Sequence, residues 1–304
     1  MTAITNSSLA FYRRSQAQMG DLRAQAENLQ GQLSSGERLA RSSDDPAAAS
    51  RLRLLGRMEQ LATIDAENAR RTAEDLDLAG SALESIGADL IRARELAIWA
   101  GSNTLGDEQR RAIADEIDQL RQNILALANS PGSSGDPLFG GQSDSAPYVT
   151  DASGAIVYTG TAQADVIDLG PGQSVVRGLT GPEFLAFTVG GTPTDAFAYF
   201  ATLAETIRTA ADPATAARDA LGGLDSALDT LTRAQTIAGA RIAWLDVVQE
   251  RQLDQSLTRN QQIADTGGVE FASTIAELQQ MLTVLEASQA SFARLSNLSL
   301  FNQI

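Results

Sequence analysis

Apolar positions recur at helical spacing along most of this 304-residue chain. Met19, Leu22, Ala26, Leu29 and Leu33 alternate three- and four-residue steps near the start, and Ile275, Leu278, Leu282 and Leu285 do the same near the end, with Phe292 and Leu295 beyond them. A stripe confined to such a and d positions covers too narrow a strip to hold an isolated helix in water, so each stripe needs a helical partner. The simplest partner for each is the other. Pairing the termini makes everything between them one long excursion from a helical stem.

Between the termini the pattern predicts three further long helices. A first helix from about residue 5 to Leu33 is stopped by Gly36. The loop Ser42-Ser43-Asp44-Asp45-Pro46 offers side-chain acceptors for free amide hydrogens and a proline at the first turn, so a helix starts there. It runs to about Ala100, carrying Leu76, Ala79, Leu83, Ile86, Leu90, Ala93 and Ala97 at strict three–four spacing. A helix from Asp107 presents Ile113, Ile117, Leu120, Ile124 and Leu127 before Pro131-Gly132. From Pro131 to about Thr194 the composition turns to Gly, Pro, Ser and Thr with short runs around Ile156, Val166 and Val175, which read as a small β unit. Helical spacing resumes near Phe197. The longest stripe, over about 215–265, ends in polar Gln249, Gln252 and Ser256, a sign of looser packing there. Gly267-Gly268 separates it from the last helix, which runs to about Leu298. Trp99 and Trp244 both fall in helical patterns and are expected in the core.

The expected fold is mainly α: an elongated nested helical hairpin or coiled-coil rod with a small β-rich insertion at the tip. Three domains follow, a terminal coiled-coil unit (1–40 with 265–304), a helical rod (41–134 with 200–264) and an outer β-rich insertion (135–199).

Composition narrows the chemistry. Cys, His and Lys are all absent, which removes disulfides, the usual zinc and iron–sulfur ligands, Ser–His and Cys–His nucleophiles, Schiff-base lysines and the P-loop lysine. The aromatic fraction of 5% leaves little to line a sugar-binding cleft around a carboxylate pair. The expectation is a protein that is not an enzyme, with no cofactor and no metal. A net charge of −15 repels phosphate backbones and anionic headgroups, so no nucleic-acid partner is expected. No run approaches a membrane span, so no membrane insertion is expected either, and the first twenty residues lack the apolar core of a cleaved signal peptide.

Several residue blocks match a known family. Leu33-Ser34-Ser35-Gly36-Glu37-Arg38 followed by Ser42 to Ala49 resembles the block after the first helix of bacterial flagellins and their junction relatives. Arg92 to Ile98, Asn103-Thr104 and Ala114-Asp115-Glu116-Ile117 resemble that superfamily's second block, in the same order and spacing. Leu138-Phe139-Gly140-Gly141 with Pro147, and the stretch Gln289-Ala290-Ser291-Phe292-Ala293-Arg294 through Phe301, look like the members that join the hook to the filament rather than flagellin itself.

The resemblance implies a structural subunit of the flagellum, exported through its channel without a cleaved signal peptide and located outside the cell. It would form a ring between hook-associated proteins and the filament. The implied partners are further copies of the chain, the other hook-associated protein of the junction, flagellin, and an export chaperone on the C-terminal helix. A short flagellin and an acidic carbohydrate-binding surface protein are the alternatives. Met19, Leu22, Leu29, Leu33, Ile275, Leu278, Leu282, Leu285, Phe292 and Leu295 are the expected assembly interface. Asp44, Asp45, Arg92, Arg94 and Glu95 are candidate subunit contacts, the two aspartates also reading as helix caps and the charged trio as a solvated helix face.

Overall fold

In a computed structural model, the backbone is described for residues 2–301 and the side chains for 10–294. Among the described residues eight helices and six short strands follow one another: α1 (Thr2–Ser35), α2 (Pro46–Ala100), α3 (Asp107–Ala128), β1 (Tyr148–Thr150), β2 (Ile156–Tyr158), β3 (Val166–Asp168), β4 (Ser174–Val176), α4 (Gly181–Leu185), β5 (Ala186–Val189), β6 (Thr192–Asp195), α5 (Ala196–Thr209), α6 (Pro213–Asp219), α7 (Leu221–Gly267) and α8 (Phe271–Phe301). The chain forms two compact units, residues 1–61 with 255–304 and residues 62–254. The mainly helical fold with a small strand region is the one expected.

In the 62–254 unit the predicted stripes become the core. Leu83, Ile86, Leu90, Leu96 and Ala97 of α2 are wholly buried with Ile113 and Ile117 of α3, Phe200 and Ala204 of α5, and Leu224 of α7. The many alanines facing inward (Ala79, Ala93, Ala97, Ala100, Ala234, Ala238) let helices approach closely. The strand segment joins that same core through Phe139, Tyr148, Leu179, Phe184, Leu185 and Phe187. Phe139 meets Phe184 with tilted rings 4.6 Å apart, and Tyr148 meets Phe197 edge-on at 4.9 Å. Gly181 is required beneath that ring, since a Cβ there would stand 2.4 Å from the Tyr148 oxygen.

The strands pair as three antiparallel hairpins, β1–β2, β3–β4 and β5–β6. The runs around Ile156, Val166 and Val175 are legible as strands; β6 (Thr-Pro-Thr-Asp) is hidden by its polar residues, and β1 and β5 are runs of only three and four residues. Gly190 and Gly191, both at positive φ, make the tight turn between β5 and β6 that twists with the hairpin. Leu169 and Val175 of the second hairpin pack on Ala69, Leu76, Leu245 and Val248.

Three expectations need correcting. Trp99 and Trp244 are 53% and 41% exposed, because each sits on the helix surface outside the buried stripe rather than within it. The long helix expected over 215–265 is broken by Ala220 into α6 and α7. The polar stretch of α7 is hydrogen-bonded instead of loose: Gln252 donates to the Leu169 carbonyl at 2.7 Å.

One buried carboxylate organises the entry to the strand segment. Asp75, 5% exposed, accepts from the backbone N–H and the hydroxyl of Ser133, each at 2.8 Å, and lies 3.2 Å from the Arg177 guanidinium. Those partners tie the loop after α3 and the residue that follows β4 to α2.

Candidate assembly interface

The unit of residues 1–61 and 255–304 is built on the pairing of the first and last helices. α1 presents Tyr12, Ser15, Met19, Leu22, Ala26, Leu29 and Leu33 along one seam, all at least partly buried. α8 answers with Thr274, Leu278, Met281, Leu285, Ser288 and Phe292. Steps of three and four place each set on one helix face. Tyr12 and Phe292 meet edge-on at 5.4 Å.

The pair is thinly covered. Ala26 and Thr274 are its buried residues, and the leucines between them are only half-buried. A groove of about 490 Å³ opens along it, lined by Phe11, Met19, Leu22, Gln25, Ser291 and Phe292 among others.

Met19, Leu22, Leu29, Leu33, Leu278, Leu285 and Phe292 thus stand on the internal seam. Ile275 and Leu282 do not. They are 44% and 49% exposed, since the seam passes through Thr274 and Met281, one position earlier in each case. One partner helix covers a strip about two-sevenths of the circumference wide, and the backbone bridge at the start of α8 together with the Tyr12–Phe292 contact sets which strip of α8 faces α1. Ile275 and Leu282 then form a second stripe with Phe271, 54% exposed, on the uncovered flank. The Leu295 side chain lies outside the described residues.

Two loops close the unit. Gly36, at φ +73°, ends α1, and its carbonyl accepts from the Val269 N–H at 3.0 Å while the Arg38 N–H reaches the Gly267 carbonyl at 2.8 Å. The Arg38 guanidinium donates to the Thr266 carbonyl at 3.0 Å and to Asp45 at 3.4 Å. Asp45 caps α2 by accepting from the Ala48 N–H at 3.0 Å, and that bond, with Arg38 beside it, holds its carboxyl below the usual range. Asp44 accepts from the Arg41 N–H at 2.8 Å within the turn. Both aspartates therefore have local structural work. Between the α2 and α7 parts of this unit, Glu59 accepts from the Ser256 hydroxyl at 2.5 Å and from Arg259 at 2.7 Å, which lowers its pKa, the Ser256 bond most of all.

Arg92, Arg94 and Glu95 belong to the other unit and are engaged within the chain. Arg92 bridges Glu116 at 2.8 Å and Glu95 at 3.2 Å, and Arg94 reaches Asp225 at 2.6 Å. Reading the sequence by one stripe per helix missed Met281 and the solvent-facing Leu54, Met58 and Leu61 of α2, whose signal was the seven-residue repeat from Leu54 to Leu61. Among the described residues no cluster of acidic side chains has the arrangement of a metal site, and no helix is long and apolar enough to cross a membrane.

Residues 7–144 match the family model described as the bacterial flagellin N-terminal helical region. The flagellar hook-associated protein 3 of Escherichia coli K12 is 26% identical over 294 residues, covering 89% of this chain and 90% of that protein. Among solved structures, a flagellar hook-associated protein from Vibrio parahaemolyticus superposes with a TM-score of 0.67 at 22% identity, over 74% of this chain and all of that one. The flagellar junction protein of Legionella pneumophila does so with a TM-score of 0.57 at 17% identity, over 65% of this chain and 99% of that one. These likenesses agree with the blocks read from the sequence: residues 7–144 are similar to the flagellin N-terminal helical region, and most of the chain is similar to flagellar hook-associated protein 3.

Proposed function

We propose that this chain is a structural subunit of the bacterial flagellum, forming the junction between hook-associated proteins and the flagellin filament. The observation that carries this reading is the half-covered helical pair at the chain's two ends. Helices whose own partner covers one strip, and which carry a second apolar strip on the flank, are suited to packing against other helices of an assembly. Its partners in this reading are further copies of itself, the other junction hook-associated protein and flagellin, with an export chaperone engaging α8 beforehand. It acts outside the cell and catalyses nothing. Single-stripe reading put Ile275 and Leu282 in the interface, and their exposure supports a role toward other subunits rather than toward α1.

Introducing the chain into a flagellated bacterium lacking its own hook-associated protein 3 tests this. Filaments should be restored by the chain and not by Ile275→Asp/Leu282→Asp, while the purified variant keeps the parent's unfolding temperature. A variant that unfolds early would show that the stripe is core. Restoration equal to the parent would remove it from the interface.

A further inference from the structure

The net charge of −15 is not spread over the molecule. Residues 1–61 and 255–304 hold ten arginines and ten acidic residues, so that unit is neutral, and residues 62–254 hold thirteen arginines against twenty-eight acidic residues. Within the neutral unit the arginines cluster. Arg51, Arg53 and Arg57 are all exposed on α2, Arg53 turns only to the Ser50 hydroxyl at 3.0 Å, and no ion pair engages any of the three among the described residues. They flank Leu54, Met58 and Leu61, which are 58%, 47% and 57% exposed on the helix side away from buried Leu55. An apolar strip edged by unpaired cations on both sides is a surface for an acidic, apolar partner.

The chain carries such a surface itself. Further along α2, Asp77, Glu84, Ile91 and Ile98 stand at strict seven-residue intervals, all exposed, more than a quarter turn around the helix from the buried Ala79, Leu83, Leu90 and Ala97. A heptad interval drifts only about 20° per step on a straight helix, so the four line one face. Neither Asp77 nor Glu84 enters an ion pair among the described residues. The basic residues on and beside that face are already held: Arg70, seven positions before Asp77, by Glu67 and Glu74, and Arg92 and Arg94 by Glu116, Glu95 and Asp225.

We infer that the Arg51/Arg53/Arg57 face of one copy docks on the Asp77/Glu84/Ile91/Ile98 face of a second copy. Charge complementarity chooses the occupant: the acidic excess of this protein lies in the 62–254 unit, and this is its exposed acidic strip that also offers isoleucines to Leu54, Met58 and Leu61. The contact joins two different patches, so it is heterologous and propagates or closes into a ring instead of stopping at a dimer. The inference rests on the assembly role proposed above and names one contact within it.

Sedimentation of the full chain with paired charge reversals tests it. Arg53→Glu/Arg57→Glu and Asp77→Arg/Glu84→Arg should each weaken self-association by about tenfold or more, with helicity and unfolding temperature unchanged because all four side chains are exposed. Mixing the two variants should restore association, since each then offers the other a complementary face. Raising salt from about 50 to about 500 mM should weaken the parent's association, as screening removes an attraction. The opposite salt response would mean that repulsion between acidic units dominates and would overturn the inference. So would a mixture that stays dissociated, or a parent that stays monomeric at about 200 μM. Filament restoration separates the two readings: restoration by the parent with no rescue on mixing sinks this contact alone, while rescue on mixing without restoration sinks the flagellar role alone.

Discussion

The two ends of α2 carry comparable apolar periodicity and end in different states. Around Leu83 and Leu90 the helix is enclosed by α3, α5 and α7, and side chains on the stripe are fully buried. In the unit of residues 1–61 and 255–304, Leu55 and Ala49 are buried but Leu54, Met58 and Leu61 are bare, and the seam of α1 and α8 is half-open. Apolar spacing thus fixes which face of a helix is sticky, and the number of neighbouring helices decides whether the stickiness is spent inside the chain. Where neighbours are few, it is left for other molecules.

The sharpest way to break this comparison is Leu90→Ala. A fully enclosed leucine reduced to alanine costs about 2–5 kcal/mol, and chemical denaturation should show a loss of that size. Asp75→Ala comes next: it leaves the buried Ser133 amide without its acceptor and Arg177 with only Asp136 and the Ser134 hydroxyl, for a loss of about 2 kcal/mol by the same measurement. Leu22→Ala, on the half-open seam, should cost about 1 kcal/mol. If it costs as much as Leu90→Ala, the terminal pair is a core of its own and the contrast fails. Asp45→Ala should have the smallest effect on the unfolding midpoint, and one with a definite pH signature. The folded-state pKa of Asp45 lies below its unfolded value near 3.8, so the cap stabilises above that pH and its contribution fades as pH falls through the lowered value. Parent and variant midpoints should differ at neutral pH and converge on acidification below 3.8. A difference that persists there would mean the capping bond does not depend on the charge.

Much of this was legible in the amino-acid sequence because long helices announce themselves by repetition. The stripes of α2, α3 and α7 reappear as the core nearly position for position, and the Asp45-Pro46 start of α2 is where the capping chemistry put it. What was not legible follows from what periodicity omits. Ile275 and Leu282 fit a heptad as well as Thr274 and Met281 do, and only the partner's geometry chooses between them. Trp99 satisfies a helical pattern from either side of the helix, so its exposure is a tertiary fact. Asp75 gave no signal at all, since its partners Ser133 and Arg177 lie far away in sequence.

The meeting of Tyr12 with Phe292 has a kinetic side. The two rings are separated by 280 positions. Closing so distant a contact before the intervening chain has folded would confine a very long loop, and that loop shortens once the intervening residues are compact. The stem should therefore zip last. A chain emerging end-first from any conduit keeps its leading helix unmatched until the trailing helix is free, so the completed terminal pair records that the whole molecule has arrived.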